Sequence, residues 1–142
     1  RRALLALRRG DAFGATAELE RMVASDPEYL PAWRNLVVAQ ARSGNREEAA
    51  RTLATALARF PADALLWTHQ AVLLREAGRR DEALAAVRRA LGLSPRDPAL
   101  RLREAALLLE LGRRNEAMAA ARAGLALGPA PGIRVELERL AR

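Results

Sequence analysis

Apolar residues recur along the chain at spacings of three and four, and that rhythm breaks at regular intervals. Residues 64–77 place Leu66, Trp67, Gln70, Ala71 and Leu74 on one side of a 3.6-residue period, Gln70 being the polar member. Residues 80–93 do the same with Ala83, Leu84, Val87, Ala90 and Leu91. Both segments predict amphipathic helices. Gly78 stands between them, suited to the left-handed conformation that follows a helix C-terminus. Asp81 and Glu82 fall in the first turn of the second segment, where the positive end of the helix dipole favours carboxylates. The run Ser94-Pro95-Arg96-Asp97-Pro98 closes the pair and opens the next helix, with Asp97 as N-cap and Pro98 at the first helical position, and the same arrangement surrounds Asp63. The predicted unit is helix, glycine turn, helix, proline turn.

That unit repeats. Pro27, Pro61, Pro95 and Pro129 stand 34 residues apart, and so do Gly10, Gly44, Gly78 and Gly112. Ala15, Ala49, Ala83 and Ala117 form a third column in the same register, five residues after each glycine. Trp33 and Trp67 are in phase as well, with Arg101 where a third tryptophan would stand. Complete units run over residues 30–63, 64–97 and 98–131, preceded by a partial unit, 1–29, and followed by a remnant, 132–142. Small residues fill the columns Ala3/Val37/Ala71/Ala105 and Met22/Ala56/Ala90/Gly124, which predicts closely approaching helices. One helical hairpin cannot bury both of its faces, so stability has to come from stacking neighbours.

The period and its columns resemble the tetratricopeptide repeat, whose pattern is Trp-x2-Leu-Gly-x2-Tyr, then Ala-x3-Phe, then Pro. Trp33, Leu36, Ala49, Leu53 and Pro61 keep much of it, although Val37 replaces the glycine and Gln40 the tyrosine. The next unit keeps Trp67, Ala83 and Pro95, and the third keeps Gly112, Ala117 and Pro129. The resemblance implies an all-α, right-handed α-solenoid of antiparallel helix pairs, read as one domain over 1–142 with three complete repeats, a partial N-terminal repeat and a C-terminal capping helix.

It further implies that the first helix of each repeat lines a concave, peptide-binding face. Numbering each repeat from 1, the positions concerned are 2, 5, 6, 9, 12 and 13, which also form one stripe of a helix. They read Arg1, Leu4, Leu7 and Arg8 in the partial repeat, and Pro31, Arg34, Asn35, Val38, Ala41 and Arg42 in the next. Then come Leu65, Thr68, His69, Val72, Arg75 and Glu76, followed by Ala99, Leu102, Arg103, Ala106, Leu109 and Glu110. An apolar floor of Val38, Val72 and Ala106 flanked by Arg34, Asn35, His69 and Arg103 suits an extended or helical peptide carrying an acidic group. Of the positions that clamp a C-terminal carboxylate in some family members, only Arg34 and Arg103 match in charge, too few to assign that ligand. The expected function is a non-catalytic adaptor for a protein or peptide. The rival reading is an interaction arm of a larger enzyme or of a secretion or assembly machine, its activity encoded elsewhere. The incomplete first repeat favours a larger parent, and the cap-like tail favours an end near residue 142.

Composition narrows the chemistry. The chain has 142 residues and a net charge of +7, and all 24 of its basic residues are arginine. That points to GC-rich coding before arginine chemistry, although the excess favours anionic partners at low salt. Arginines recur near the glycine turns (Arg42, Arg46, Arg75, Arg79, Arg80, Arg113, Arg114, with Arg8 and Arg9), but Glu47, Glu48, Glu76, Asp81, Glu82, Glu110 and Glu116 share that edge. Interleaved signs predict a salt-bridged face, and 4% aromatic content leaves few platforms for stacking bases, which disfavours nucleic acid. The absence of cysteine excludes a thiol nucleophile, a zinc–cysteine site and an iron–sulfur cluster, and leaves the compartment undetermined. His69, the sole histidine, has no companion ligands, and no phosphate loop or nucleophile elbow occurs, so neither cofactor nor catalysis is expected. No run of about 18 apolar residues predicts membrane insertion. Trp33 and Trp67 are expected in the core, Tyr29 under the loop between repeats, and Met22 and Met118 as gap-fillers. Ile133, Leu137 and Leu140 share one face of the tail, as a cap or as the first helix of a further repeat; Leu4, Leu5 and Leu7 are expected against an upstream helix. Bare ends of a solenoid also offer a surface for self-association.

Overall fold

The computed structural model describes residues 12–142, and these form helices and short turns without a strand. The expectations placed on Gly10, on Arg1, Arg8 and Arg9, and on Ala3, Leu4, Leu5 and Leu7 lie outside the described residues. The helices are α1 (Ala12–Ser25), α2 (Leu30–Arg42), α3 (Arg46–Arg59), α4 (Ala64–Glu76), α5 (Arg80–Leu93), α6 (Pro98–Glu110), α7 (Arg114–Leu125) and α8 (Pro131–Leu140). First helices begin at Leu30, Ala64 and Pro98 and second helices at Arg46, Arg80 and Arg114, so both series step by the 34-residue period. Among the described residues, contacts form two compact units, unit 1 ending at His69 and unit 2 beginning at Gln70.

The turns are built as their residues dictate. Gly44, Gly78 and Gly112 have φ of +80°, +80° and +77°, which side-chain-bearing residues adopt only at a steric cost. Beyond each glycine the next N–H turns back into the helix: Asn45 donates to the Gln40 carbonyl at 3.0 Å and Arg79 to Leu74 at 2.9 Å. The Asn45 amide oxygen accepts the Glu48 N–H at 3.3 Å, Asp63 accepts Leu66 N–H at 3.0 Å, and Asp97 accepts Ala99 N–H at 3.0 Å. Arg79 and Arg113 occupy N-cap positions without capping. They fold instead onto acids in the first turn, Arg79 Nε donating to Glu82 at 2.8 Å and Arg113 Nε to Glu116 at 2.9 Å.

In unit 1 the core gathers Ala15, Leu19, Ala32, Leu36 and Ala39, with Met22 and Val23 packed at its edge. In unit 2, Leu108 and Leu137 are fully buried among the small residues of α6, α7 and α8. Each alanine of the column Ala15, Ala49, Ala83 and Ala117 is at most 1% exposed, so the repeated small residue is the one at which helices meet. Gly124 takes this furthest. A Cβ placed there would lie 2.9 Å from Arg101 Cβ and 3.0 Å from Leu137 Cδ2, which explains why glycine replaces the alanine of the two preceding repeats.

Two aromatic expectations need correction. Trp33 is 7% exposed, but Trp67 is only half-buried, although each indole N–H donates to the carbonyl of the proline six residues earlier: Trp33 to Pro27 at 2.8 Å and Trp67 to Pro61 at 2.9 Å. Tyr29 is 47% exposed and does not lie under the loop; the tryptophan already anchors that loop through Pro27.

Candidate functional site

In unit 2, residues at stripe positions of two successive first helices line an open groove of about 310 Å³. From α4 it takes Ala71, Val72, Arg75 and Glu76; from α6 it takes Ala99, Leu102, Arg103 and Ala106. Val72, Arg75 and Glu76 follow helical spacing, as do Ala99, Leu102, Arg103 and Ala106, so each helix contributes one stripe. Buried Ala71, Val87 and Leu107 close the bottom, and alanine at 71, 99 and 106 leaves room above it. Seven residues of the expected stripe thus meet here: Val72, Arg75, Glu76, Ala99, Leu102, Arg103 and Ala106.

Charge around the groove is partly committed. Arg75 Nε donates to both carboxylate oxygens of Glu110, at 3.0 and 3.1 Å, tying α4 to α6. That hydrogen bond, with the charges of Arg75 and Arg80 behind it, holds the Glu110 carboxyl below its ordinary range. Arg103 is exposed and pairs with no acid among the described residues. The groove therefore offers apolar contact beside one guanidinium whose donors are unspent.

Of the remaining stripe residues, Arg34, Asn35, Val38, Arg42, Thr68 and His69 belong to unit 1, and none of them lines this groove. Arg34 forks onto Asp63, with Nε 3.1 Å from Oδ2 and Nη2 on Oδ1. Because Asp63 also accepts the Leu66 N–H, that arginine braces the start of α4. Thr68 Oγ donates to its own helix at the Ala64 carbonyl, 2.9 Å away. Asn35, Val38 and His69 are half-buried, and Arg42 is exposed without a paired acid among the described residues. The sequence does carry a signal for the Arg34–Asp63 pair. Position 5 is basic and position 34 acidic in that repeat, whereas Thr68 and Leu102 stand at position 5 in the next two.

The tetratricopeptide repeat family model matches residues 6–73 and 74–135. The chain belongs to the tetratricopeptide repeat family. A thermophilic tetratricopeptide repeat protein of Thermus thermophilus is similar in structure with a TM-score of 0.83 at 27% identity, over 97% of this chain and 77% of that one. A tetratricopeptide repeat protein of Parabacteroides merdae gives 0.83 at 20% identity, over 98% and 57%. MamA gives 0.81 at 15% identity, over 98% and 90%. The last two likenesses concern the fold alone. No curated protein matches the sequence. The all-α class of stacked helix pairs expected from the period is therefore that of a tetratricopeptide repeat protein, and this fold serves as a protein-interaction module. No helix among the described residues is long and apolar enough to cross a membrane.

Proposed function

We propose that the protein is a non-catalytic adaptor that holds a peptide segment against the first helices of its repeats, with an acidic residue of that segment on Arg103. One observation carries this reading: in unit 2 the residues at positions 9, 12 and 13 of one repeat and 2, 5, 6 and 9 of the next line a single open groove that combines apolar contact with an unpaired guanidinium. Val72, Leu102 and Ala106 supply half-exposed apolar surface, which supports recognition of a short apolar side chain next to a carboxylate. Arg34 has no such freedom, because Asp63 already occupies its fork. Arg103→Glu therefore tests binding more cleanly than Arg34→Glu, which also strips support from α4.

The test is a selection of displayed random peptides on the intact chain, followed by titration of the enriched sequences. Enriched peptides should carry an acidic residue beside an apolar one, and Arg103→Glu should weaken them by about tenfold or more, the scale of one charge-assisted contact. Unchanged binding to Arg103→Glu, with helical circular dichroism intact, places the peptide elsewhere.

A further inference from the structure

Unit 1 contains a second pocket, of about 320 Å³, built on different residues and of opposite character. It is lined by Thr16 and Glu20 of α1, Gln40 of α2, Ser43, Gly44 and Asn45 of the turn, and Glu48 of α3. Gln40 is 2% exposed, and its Oε1 is buried with no hydrogen-bond partner. The neighbouring groups do not supply one. Ser43 Oγ donates to the Ala39 carbonyl at 2.9 Å, and Asn45 Oδ1 is taken by the Glu48 N–H. The Glu48 carboxylate is held by Arg51, while Glu20 pairs with no cation among the described residues. Apolar packing alone calls for leucine at the Gln40 position, and the next two repeats have it, at Leu74 and Leu108.

The repeat symmetry identifies what is missing. Two repeats further on, the positions of Glu20, Gln40, Asn45 and Glu48 are held by Arg88, Leu108, Arg113 and Glu116. There the carboxylate of Glu116 receives Arg113 Nη2 at 2.7 Å and lies 3.7 Å from Arg88 Nη2. Both of those guanidinium groups come from within the chain. In unit 1 both arginine positions hold acceptors instead, Glu20 and Asn45, and the buried leucine has become an amide whose oxygen is unsatisfied. The corner has kept its carboxylate, with Arg51 of α3 on one of its oxygens, has neither of the two arginines of the later repeat, and has gained acceptors. A metal ion is not what these groups ask for: among the described residues no three acidic or imidazole side chains cluster.

We propose that this pocket receives a guanidinium group, presented by an arginine side chain of a protein partner, with Gln40 Oε1 and the carboxylates of Glu20 and Glu48 as its acceptors. A guanidinium is planar and carries five donors in a fixed fork, so it addresses an amide oxygen and a carboxylate together; an ammonium is a compact, strongly hydrated point charge. The site is independent of the groove in unit 2, shares no residue with it, and selects the opposite charge.

The experiment is an amide NMR titration of the full chain with N-acetyl-arginine amide, compared with the corresponding lysine and citrulline amides and with free arginine. The arginine amide should give saturable shifts confined to Thr16, the Gln40 side-chain amide and residues 43–48, with the lysine and citrulline amides about tenfold weaker or more. Gln40→Leu restores the residue of the other repeats and so keeps the fold; it and Glu20→Gln should each weaken binding about fivefold or more. No saturable response at these residues overturns the proposal, as does equal binding by citrulline amide or unchanged binding in Gln40→Leu. Equal binding by the lysine amide overturns the guanidinium assignment. Tighter binding of free arginine than of its amide overturns the protein source.

Discussion

Among single residues, the two tryptophans separate what sequence position conveys from what it does not. Their 34-residue spacing announces a common role, and each indole does hold the carbonyl of a proline at the start of the loop before it. Burial is not common to them, because it depends on what lies over the ring and not on the ring's place in its own helix. Trp33→Phe keeps most of the apolar bulk but leaves the Pro27 carbonyl unpaired in a half-buried setting beneath a buried ring, and should cost about 1–2 kcal/mol. The same change at Trp67 leaves Pro61 where water can replace the indole, so the loss should stay within about 1 kcal/mol. Urea unfolding of the two variants checks this; equal losses would mean that the exposure difference has no energetic weight. Arg34 teaches a related lesson. Its place on the expected binding stripe is legible, but its partner Asp63 lies 29 residues away, and only folding decides that the side chain turns to that acid.

At the scale of the element, nearly everything was written in the chain. Glycine at positive φ, aspartate or asparagine at the N-caps and proline at the start of α6 set the helix limits through local chemistry, with no need of distant contacts. Side-chain caps are absent at α2 and α8, where proline stands in the first turn, and at α5 and α7, where arginine stands at the cap and pairs with Glu82 or Glu116 in the first turn. Close approach between helices is the part that spacing only hinted at. Gly124 belongs to a small-residue column, but the need for no side chain at all arises because Arg101 Cβ and Leu137 converge on it. Gly124→Ala should therefore destabilise by about 1–3 kcal/mol in spite of alanine's higher helix propensity. Gly92→Ala in α5, where a Cβ meets nothing within 4 Å, should instead stabilise by up to about 1 kcal/mol. Thermal melts of the two variants decide the matter, since opposite signs follow from contact geometry alone and equal signs would contradict it.

For the whole molecule, function follows from how repeated units differ and not from what they share. The common columns build the scaffold; the departures build the surfaces, an arginine-bearing groove where small alanines open a gap in unit 2 and an acceptor-lined pocket where Gln40 and Glu20 break the pattern in unit 1. The groove's stripe could be read from helical spacing. The pocket could not, since an orphaned amide oxygen becomes visible only when every neighbour's hydrogen bond has been assigned. An array whose contacts are mostly between neighbours should also unfold in parts, because a perturbation reaches only as far as the interfaces it weakens. Leu137 tests this in unit 2: it is fully buried where α8 packs on α6 and α7, and Leu137→Ala should cost about 2–5 kcal/mol. Native-state hydrogen exchange on that variant should accelerate in α6, α7 and α8 while α2 and α3 keep their wild-type protection. Equal acceleration across all helices would require the chain to open as one cooperative body, and the energetic independence of the two surfaces would fail with it.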